Sequence, residues 1–212
     1  MNAATLPVAQ WVARTEAEGP GPRFAIWFQG CPLRCPGCCN PEFLPFSGGA
    51  SWTVAELLRE IERARGQGVE GVTLLGGEPF AHAAGAAELA EGVQNLGLSV
   101  MVFSGYTLKE IQSLPDPHAA RLLAAADILV AGRYDRGQPE TRRRWIGSAN
   151  QVIHFLTPRY RPDDPCWEMK NTLEIRLTGR TIEVNGFPAA GAKEFWKGSF
   201  RRVGPTEERE TR

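Results

Sequence analysis

The chain has 212 residues, 42% of them hydrophobic and 23% charged, the composition of a globular protein long enough to bury a sizeable core. Its 24 Lys and Arg cancel 24 Asp and Glu, so no net field favours a nucleic acid or a membrane surface. The N-terminal "MNAATLPVAQWVARTEAEG" carries acids and no long apolar core, and no apolar run reaches membrane-spanning length; neither a signal peptide nor a membrane span is expected. A cytoplasmic setting follows, in which cysteines stay reduced.

After a polar, Gly/Pro-rich entry, "FAIWFQG" (24–30) is a short apolar run typical of a buried strand, and it leads straight into a cysteine-rich loop. "SWTVAELLREIERARGQG" is helical. Thr53 and Glu56 form a capping box, Trp52 and Leu57 occupy staple positions, and Val54, Leu57, Leu58 and Ile61 form one stripe. "GVTLLGGEPF" is a second buried strand ending in a glycine turn, and "AAELAEGVQNLG" a helix with Leu89, Val93 and Leu96 inward. A third strand, "LSVMVFSGYT", precedes the helical "LKEIQSL"; "HAARLLAAA" is a further helix, "DILVAG" a fourth strand and "NQVIHFL" a fifth. Strands alternating with helices predict parallel βαβ units, too few to close an eight-stranded barrel, so a partial barrel or open sheet is expected. Sites in such folds lie at the carboxyl ends of the strands, which here carry "QGCPLRC", "GGEP", "SGYT" and "GRYD".

The pattern changes near residue 157. "TPRYRPDDP" reads as a linker, and "LEIRLTGRTIEV" alternates about a Gly179–Arg180 turn as a β-hairpin would. The charged tail "GPTEERETR" is expected to lack order. The expected division is 1–156 for the core and 157–212 for linker, hairpin and tail.

Four of the five cysteines lie within residues 31–39, in "CPLRCPGCC". A disulfide staple suits neither the compartment nor the spacing. A structural zinc site wants two separated ligand pairs, whereas Cys166 stands alone and His82, His118 and His154 are scattered. Cys31, Cys35 and Cys38, spaced C-x3-C-x2-C, suit a [4Fe–4S] cluster whose fourth iron lacks a protein ligand, an open position of the kind catalysis uses.

This spacing directly after a first strand, with "GGEP" after the second, resembles the radical S-adenosylmethionine (SAM) enzymes. The resemblance implies a partial (β/α)6 barrel. It implies that Cys31, Cys35 and Cys38 hold three irons and that SAM chelates the fourth. One electron would then cleave the sulfonium to methionine and a 5′-deoxyadenosyl radical that abstracts a hydrogen atom. It places Gly76, Gly77, Glu78 and Pro79 at the SAM amino group. It also places Ser104 and Gly105 near SAM, although "SGYT" reads equally as a helix start capped by Thr107. In "GRYDRGQPETRRRWIGSANQ" (132–151), Arg133 or Asn150 would meet the SAM carboxylate; Arg142, Arg143 and Arg144 have the blander reading of a solvated basic face.

Within that superfamily, "GPGPRFAIWFQGCPLRCPGCCNPE" is similar to the glycyl-radical activating enzymes, with Gly37 in "CPGC" and the later "DILVAGRYD" and "RRRWIGSANQ" in keeping. That similarity implies a protein substrate carrying the reacting glycine and an external electron donor such as flavodoxin or ferredoxin. The same chemistry on a ribosomal peptide, a nucleotide or RNA, or a metabolite is the alternative. Two features depart from the pattern. Cys39 stands where a His, Phe or Tyr is expected; it reads as a small buried hydrophobe beside the cluster, or as a ligand in a shifted register. The chain also runs on past a minimal activator, with Phe195, Trp196 and Phe200 packing on the barrel or docking a partner.

Overall fold

The computed structural model describes residues 4–178 and 181–187. The strands are β1 (Thr5–Thr15), β2 (Arg23–Phe28), β3 (Ala50–Thr53), β4 (Gly71–Gly76), β5 (Ser99–Ser104), β6 (Ile128–Ala131), β7 (Val152–Phe155), β8 (Leu173–Thr178) and β9 (Thr181–Gly186). The α-helices are α1 (Val54–Arg65), α2 (Ala83–Asn95), α3 (Leu108–Gln112) and α4 (Pro117–Ala124).

One seven-stranded sheet has the order β3-β1-β2-β4-β5-β6-β7, and β8 pairs with β9 apart from it. Strands β2, β4, β5 and β6 are parallel, because helical crossovers join each to the next. Their alternate residues point to opposite faces. Phe24, Ile26 and Phe28 of β2, Val72 and Leu74 of β4, and Val100 and Val102 of β5 pack against the helices with Leu57, Ile61 and Leu89. Burying each such side chain contributes roughly 1.5–3 kcal/mol. Ala25, Trp27 and Leu75 fall on the other face, with Phe103 packed against them, and among the described residues no α-helix covers that side. Among the described residues the α-helices thus lie on one face of the sheet and loops on the other.

Where the resemblance implies six βα units, the described residues hold four parallel strands in a mostly parallel α/β sheet. The 150–156 strand is β7, and it runs antiparallel to β6 because the intervening loop holds no crossover helix. Strand β1 is not among the elements expected from the sequence, and it too is antiparallel: residues 16–22 are too short a link for a crossover. Helix α1 starts as expected. The Thr53 hydroxyl accepts the Glu56 N–H at 3.2 Å and the Glu56 carboxylate accepts the Thr53 N–H at 2.8 Å.

At the amino ends of the strands, Arg23 is wholly buried and, among the described residues, makes no ion pair, although it feels the charge of Asp127. Its guanidinium donates to Thr73 Oγ1 at 2.6 Å, Ser99 Oγ at 3.0 Å, and the Pro20 and Val72 carbonyls. Tyr160 joins this knot through Ser99 Oγ at 2.8 Å. Residues 157–187 thus return to the sheet: Trp167 meets Trp145 and Phe155 edge-on at 5.2 Å, and Phe187 stacks on Phe103 at 6.0 Å. Strands β8 and β9 pair antiparallel from Leu173–Gly186 to Thr178–Thr181; the Gly179–Arg180 turn, Phe195, Trp196, Phe200 and the charged tail lie outside the described residues. Among the described residues no helix is long and apolar enough to cross a membrane.

Candidate iron–sulfur and SAM site

A cavity of about 500 Å³ lies on the helix-free face. Three strand ends meet at it: Cys31 after β2, Gly76, Gly77 and Glu78 at the end of β4, and Ser104 and Gly105 at the end of β5. Cys35 and Cys38 also line it, as do Gly132 and Tyr134 after β6.

The cysteine loop is held by its rim. Gly30 N–H donates to the Phe43 carbonyl at 2.9 Å and Cys31 N–H to the Leu44 carbonyl at 3.1 Å. Gln29 Nε2 donates to the carbonyls of Glu42 and Pro45, and the Gln29 carbonyl is 2.8 Å from His82 Nε2. Cys38 N–H closes a turn on the Cys35 carbonyl at 3.1 Å, with Gly37 in the left-handed region at φ +73°. Burial pushes the Cys31 and Cys38 thiols up, and each feels Cys35 nearby. Metal binding would therefore release protons from this loop. Among the described residues no three His, Cys, Asp or Glu side chains converge on a single-ion position. In a cluster each thiolate takes its own iron, so its ligands need no common point.

Glu78 is the second half of the site. Its carboxylate is wholly buried and accepts from Phe80 N–H at 3.0 Å, Ser104 Oγ at 2.9 Å and Gly105 N–H at 2.8 Å. Desolvation outweighs these bonds and raises its pKa to about 7. The turn before it fits under the cysteine loop only as glycine. Gly77 N–H donates to the Phe28 carbonyl at 2.7 Å and Glu78 N–H to the Gly30 carbonyl at 2.9 Å, and a Cβ on Gly77 would run into that Gly30 oxygen.

The other residues singled out in the sequence fall differently. Pro79 is buried as the first residue of a short 3-10 turn and does not line the cavity. Arg133 is ion-paired to Glu110 at 2.9 Å and lies over the Tyr106 ring, while Asn150 donates to the Arg133 carbonyl at 2.8 Å; neither lines the cavity. Gln151, next to Asn150, does. Cys39 is exposed and hydrogen-bonded to Tyr134, so it is not a buried hydrophobe, and it lines the cavity beside Cys38. Arg144 is buried across the Trp145 ring at 4.1 Å, so "RRR" is not a solvated face throughout. Trp27, Leu75 and Phe103, absent from the expected site, share its face by strand alternation, which is the signal that could have found them. Glu18, Asn185 and Phe187 also line the cavity and carry no local signal.

A protein family described as a 4Fe-4S single cluster domain matches residues 17–154. The anaerobic ribonucleoside-triphosphate reductase-activating protein of Vibrio cholerae is 31% identical over 148 residues, which cover 66% of this chain and 92% of the relative. The chain belongs to this 4Fe-4S family of activating proteins. The Escherichia coli K12 activating protein is 27% identical over 147 residues, 66% of this chain and 92% of the relative, and that of Enterobacteria phage T4 is 26% identical over 148 residues, 64% and 85%. Among solved structures, QueE from Escherichia coli overlaps 49% of this chain and about half (53%) of its own, with a TM-score of 0.40 and 22% identity. The resemblance to radical SAM activating enzymes is borne out: the protein is an enzyme of that class, and its cofactors are a [4Fe–4S] cluster and SAM.

The residues present fit both groups. Three thiols share one loop on a cavity within the ~300–1,000 Å³ span of small-molecule sites. A buried carboxylate in the same wall suits the ammonium end of an amino acid.

Proposed function

We propose that the protein cleaves SAM reductively and takes a hydrogen atom from a glycine of a partner glycyl-radical enzyme such as an anaerobic ribonucleoside-triphosphate reductase. The observation that carries this reading is the sharing of one cavity by Cys31, Cys35, Cys38 and the buried Glu78. When bound, the cluster and SAM supply a one-electron cleavage to methionine and a 5′-deoxyadenosyl radical.

The chain's own residues set the stage for that chemistry. Cys31, Cys35 and Cys38 would hold the cluster. Glu78 would accept from the SAM ammonium, while the Gly76–Gly77 turn would bring backbone close to it. Ser104 and Gly105 hold Glu78 in place through their hydrogen bonds. Trp27, Leu75 and Phe103 give the cavity an apolar floor that excludes water. Arg133 or Asn150 would reach the SAM carboxylate only by leaving its present partners. An external donor such as flavodoxin or ferredoxin supplies the electron, in the cytoplasm where thiols stay reduced.

A second reading keeps the chemistry and changes the substrate to a ribosomal peptide, a nucleotide or RNA, or a metabolite. It is favoured by Asn185 and Phe187, which wall the cavity from a segment beyond the matched residues 17–154. The test is anaerobic reconstitution followed by dithionite and SAM, then addition of the glycyl-radical protein of the producing organism. The expected result is about four irons per chain, 5′-deoxyadenosine release and a glycyl radical on the partner. Cleavage with no radical on the partner favours the second reading; no cleavage at all overturns both.

A further inference from the structure

The β8–β9 hairpin is amphipathic in the reverse of the usual sense. Its polar side chains face the protein: Glu174 accepts from the Glu16 N–H at 2.8 Å, Arg176 donates to the Arg14 carbonyl at 3.0 Å, and Asn185 donates to Thr15 Oγ1 at 3.0 Å and Glu18 at 3.2 Å. Arg176 is further fixed by Glu174 and Asn185 within the hairpin. Its aliphatic side chains face outward, with Ile175 52%, Leu177 75% and Ile182 43% exposed. The register sets Ile175 opposite Val184 and Leu177 opposite Ile182, so these side chains make one continuous patch. A shift of one residue would turn this set inward, and the polar anchors to β1 and the residues after it prevent that. Soluble monomers rarely show large contiguous apolar surface without a use for it.

The patch runs into the cavity. Leu173, 38% exposed, and Val184 belong both to the aliphatic face and to the cavity wall, so the cavity meets the surface at the edge of the patch. A protein that inserts a residue at that edge must rest its flanking surface on the hairpin.

We propose that the exposed aliphatic face of β8–β9 docks the protein that supplies the hydrogen atom, through an apolar patch beside its reacting glycine. The proposal rests on the glycyl-radical reading above and goes beyond it by naming the surface. That surface lies outside residues 17–154, the part matched by the family.

The experiment uses Leu177→Asp and Ile182→Asp, with Leu177→Met as the conservative control, and the glycyl-radical protein of the producing organism as the probe. Sedimentation reads complex formation, spin counting reads the glycyl radical, and 5′-deoxyadenosine release without the probe reports that the variants fold and hold their cofactors. The Asp variants are expected to weaken the complex about tenfold or more and to lower radical yield in step, with probe-free cleavage unchanged. Leu177→Met is expected to match the unmodified protein. Asp variants that bind the probe normally overturn the docking surface while leaving the glycyl-radical reading intact. The docking surface is overturned equally if the unmodified chain is a dimer that the substitutions split while probe binding stays unchanged. An unmodified protein that cleaves SAM yet neither binds the probe nor puts a radical on it overturns the glycyl-radical reading, and this proposal with it.

Discussion

The Ser104 hydroxyl donates to the Glu78 carboxylate at 2.9 Å, so the ends of β4 and β5 meet through one buried acid. Gly105 N–H binds the other oxygen at 2.8 Å, which leaves the carboxylate fixed in direction and facing the cavity. The third strand end thus positions the group supplied by the second.

Replacing that acid tests its role. In Glu78→Gln, one face of the amide must set an NH2 against a backbone N–H that now donates to the carboxylate. The expected outcome is SAM binding about tenfold weaker, from the loss of a charge-assisted contact. Iron content should stay unchanged, since no cysteine is touched. Equilibrium dialysis with SAM and iron analysis on the reconstituted protein check this.

Gly77→Ala places a methyl group against the Gly30 carbonyl oxygen, directly under the cysteine loop. Forcing the two turns apart strains the hydrogen bonds of Gly77 and Glu78 to Phe28 and Gly30. A cost of about 1–3 kcal/mol is expected, which lowers Tm by several degrees. Iron uptake should fall with it. Thermal unfolding and iron analysis of Gly77→Ala beside Gly66→Ala, where φ is −60° and an added Cβ would come no nearer than 3.3 Å to another atom, separate close approach from a general glycine effect.

The cysteines should divide sharply. Cys31→Ala, Cys35→Ala and Cys38→Ala are each expected to lose most reconstituted iron and all SAM cleavage. Cys39→Ala should keep both, because its thiol is exposed and engaged with Tyr134. Retention of cleavage by Cys31→Ala would reject the ligand assignment.

Glu18 makes stability fall with pH. Desolvation by burial, against the opposing bonds from Asn185 and Gly186, raises its pKa to about 7; Glu174 and Arg176 are the charged groups it feels. A carboxyl whose folded pKa is raised keeps its proton when the unfolded chain has lost it. Its stabilising contribution is therefore whole below the unfolded value near 4.5 and is lost as pH rises to about 7. The slope approaches ~1.4 kcal/mol per pH unit between those limits. Glu18→Gln should flatten the decline in Tm between pH 5 and pH 7, measured on the protein without its cofactors so that metal binding does not intrude.

Much of the fold and site is legible locally. Continuous apolar runs such as "FAIWF" and "VTLL" announce strands buried on both faces, and the α1 capping box is visible in Thr53 and Glu56. The convergence of "GGEP" and the cysteine loop follows from parallel topology, and cysteine spacing alone narrows the metal chemistry. Strand β1 is obscured because Pro7, Gln10 and Arg14 interrupt its apolar character, although Leu6, Val8 and Val12 keep the period of two.

The tertiary structure decided what depends on distant partners. Arg133 has the chemistry of a carboxylate ligand, yet Glu110 claims it, and nothing near Arg133 in the chain announces that pairing. The Gly77 approach to Gly30, the burial of Glu78 and the joining of Thr15 and Glu18 to Asn185 likewise arise between segments far apart. The outward turn of Ile175, Leu177 and Ile182 belongs to the same class. Alternation in β8 and β9 fixes which side chains share a face, because the backbone period is local. Which face meets water is set by anchors on Arg14, Thr15, Glu16 and Glu18, and those exist only once the chain has folded.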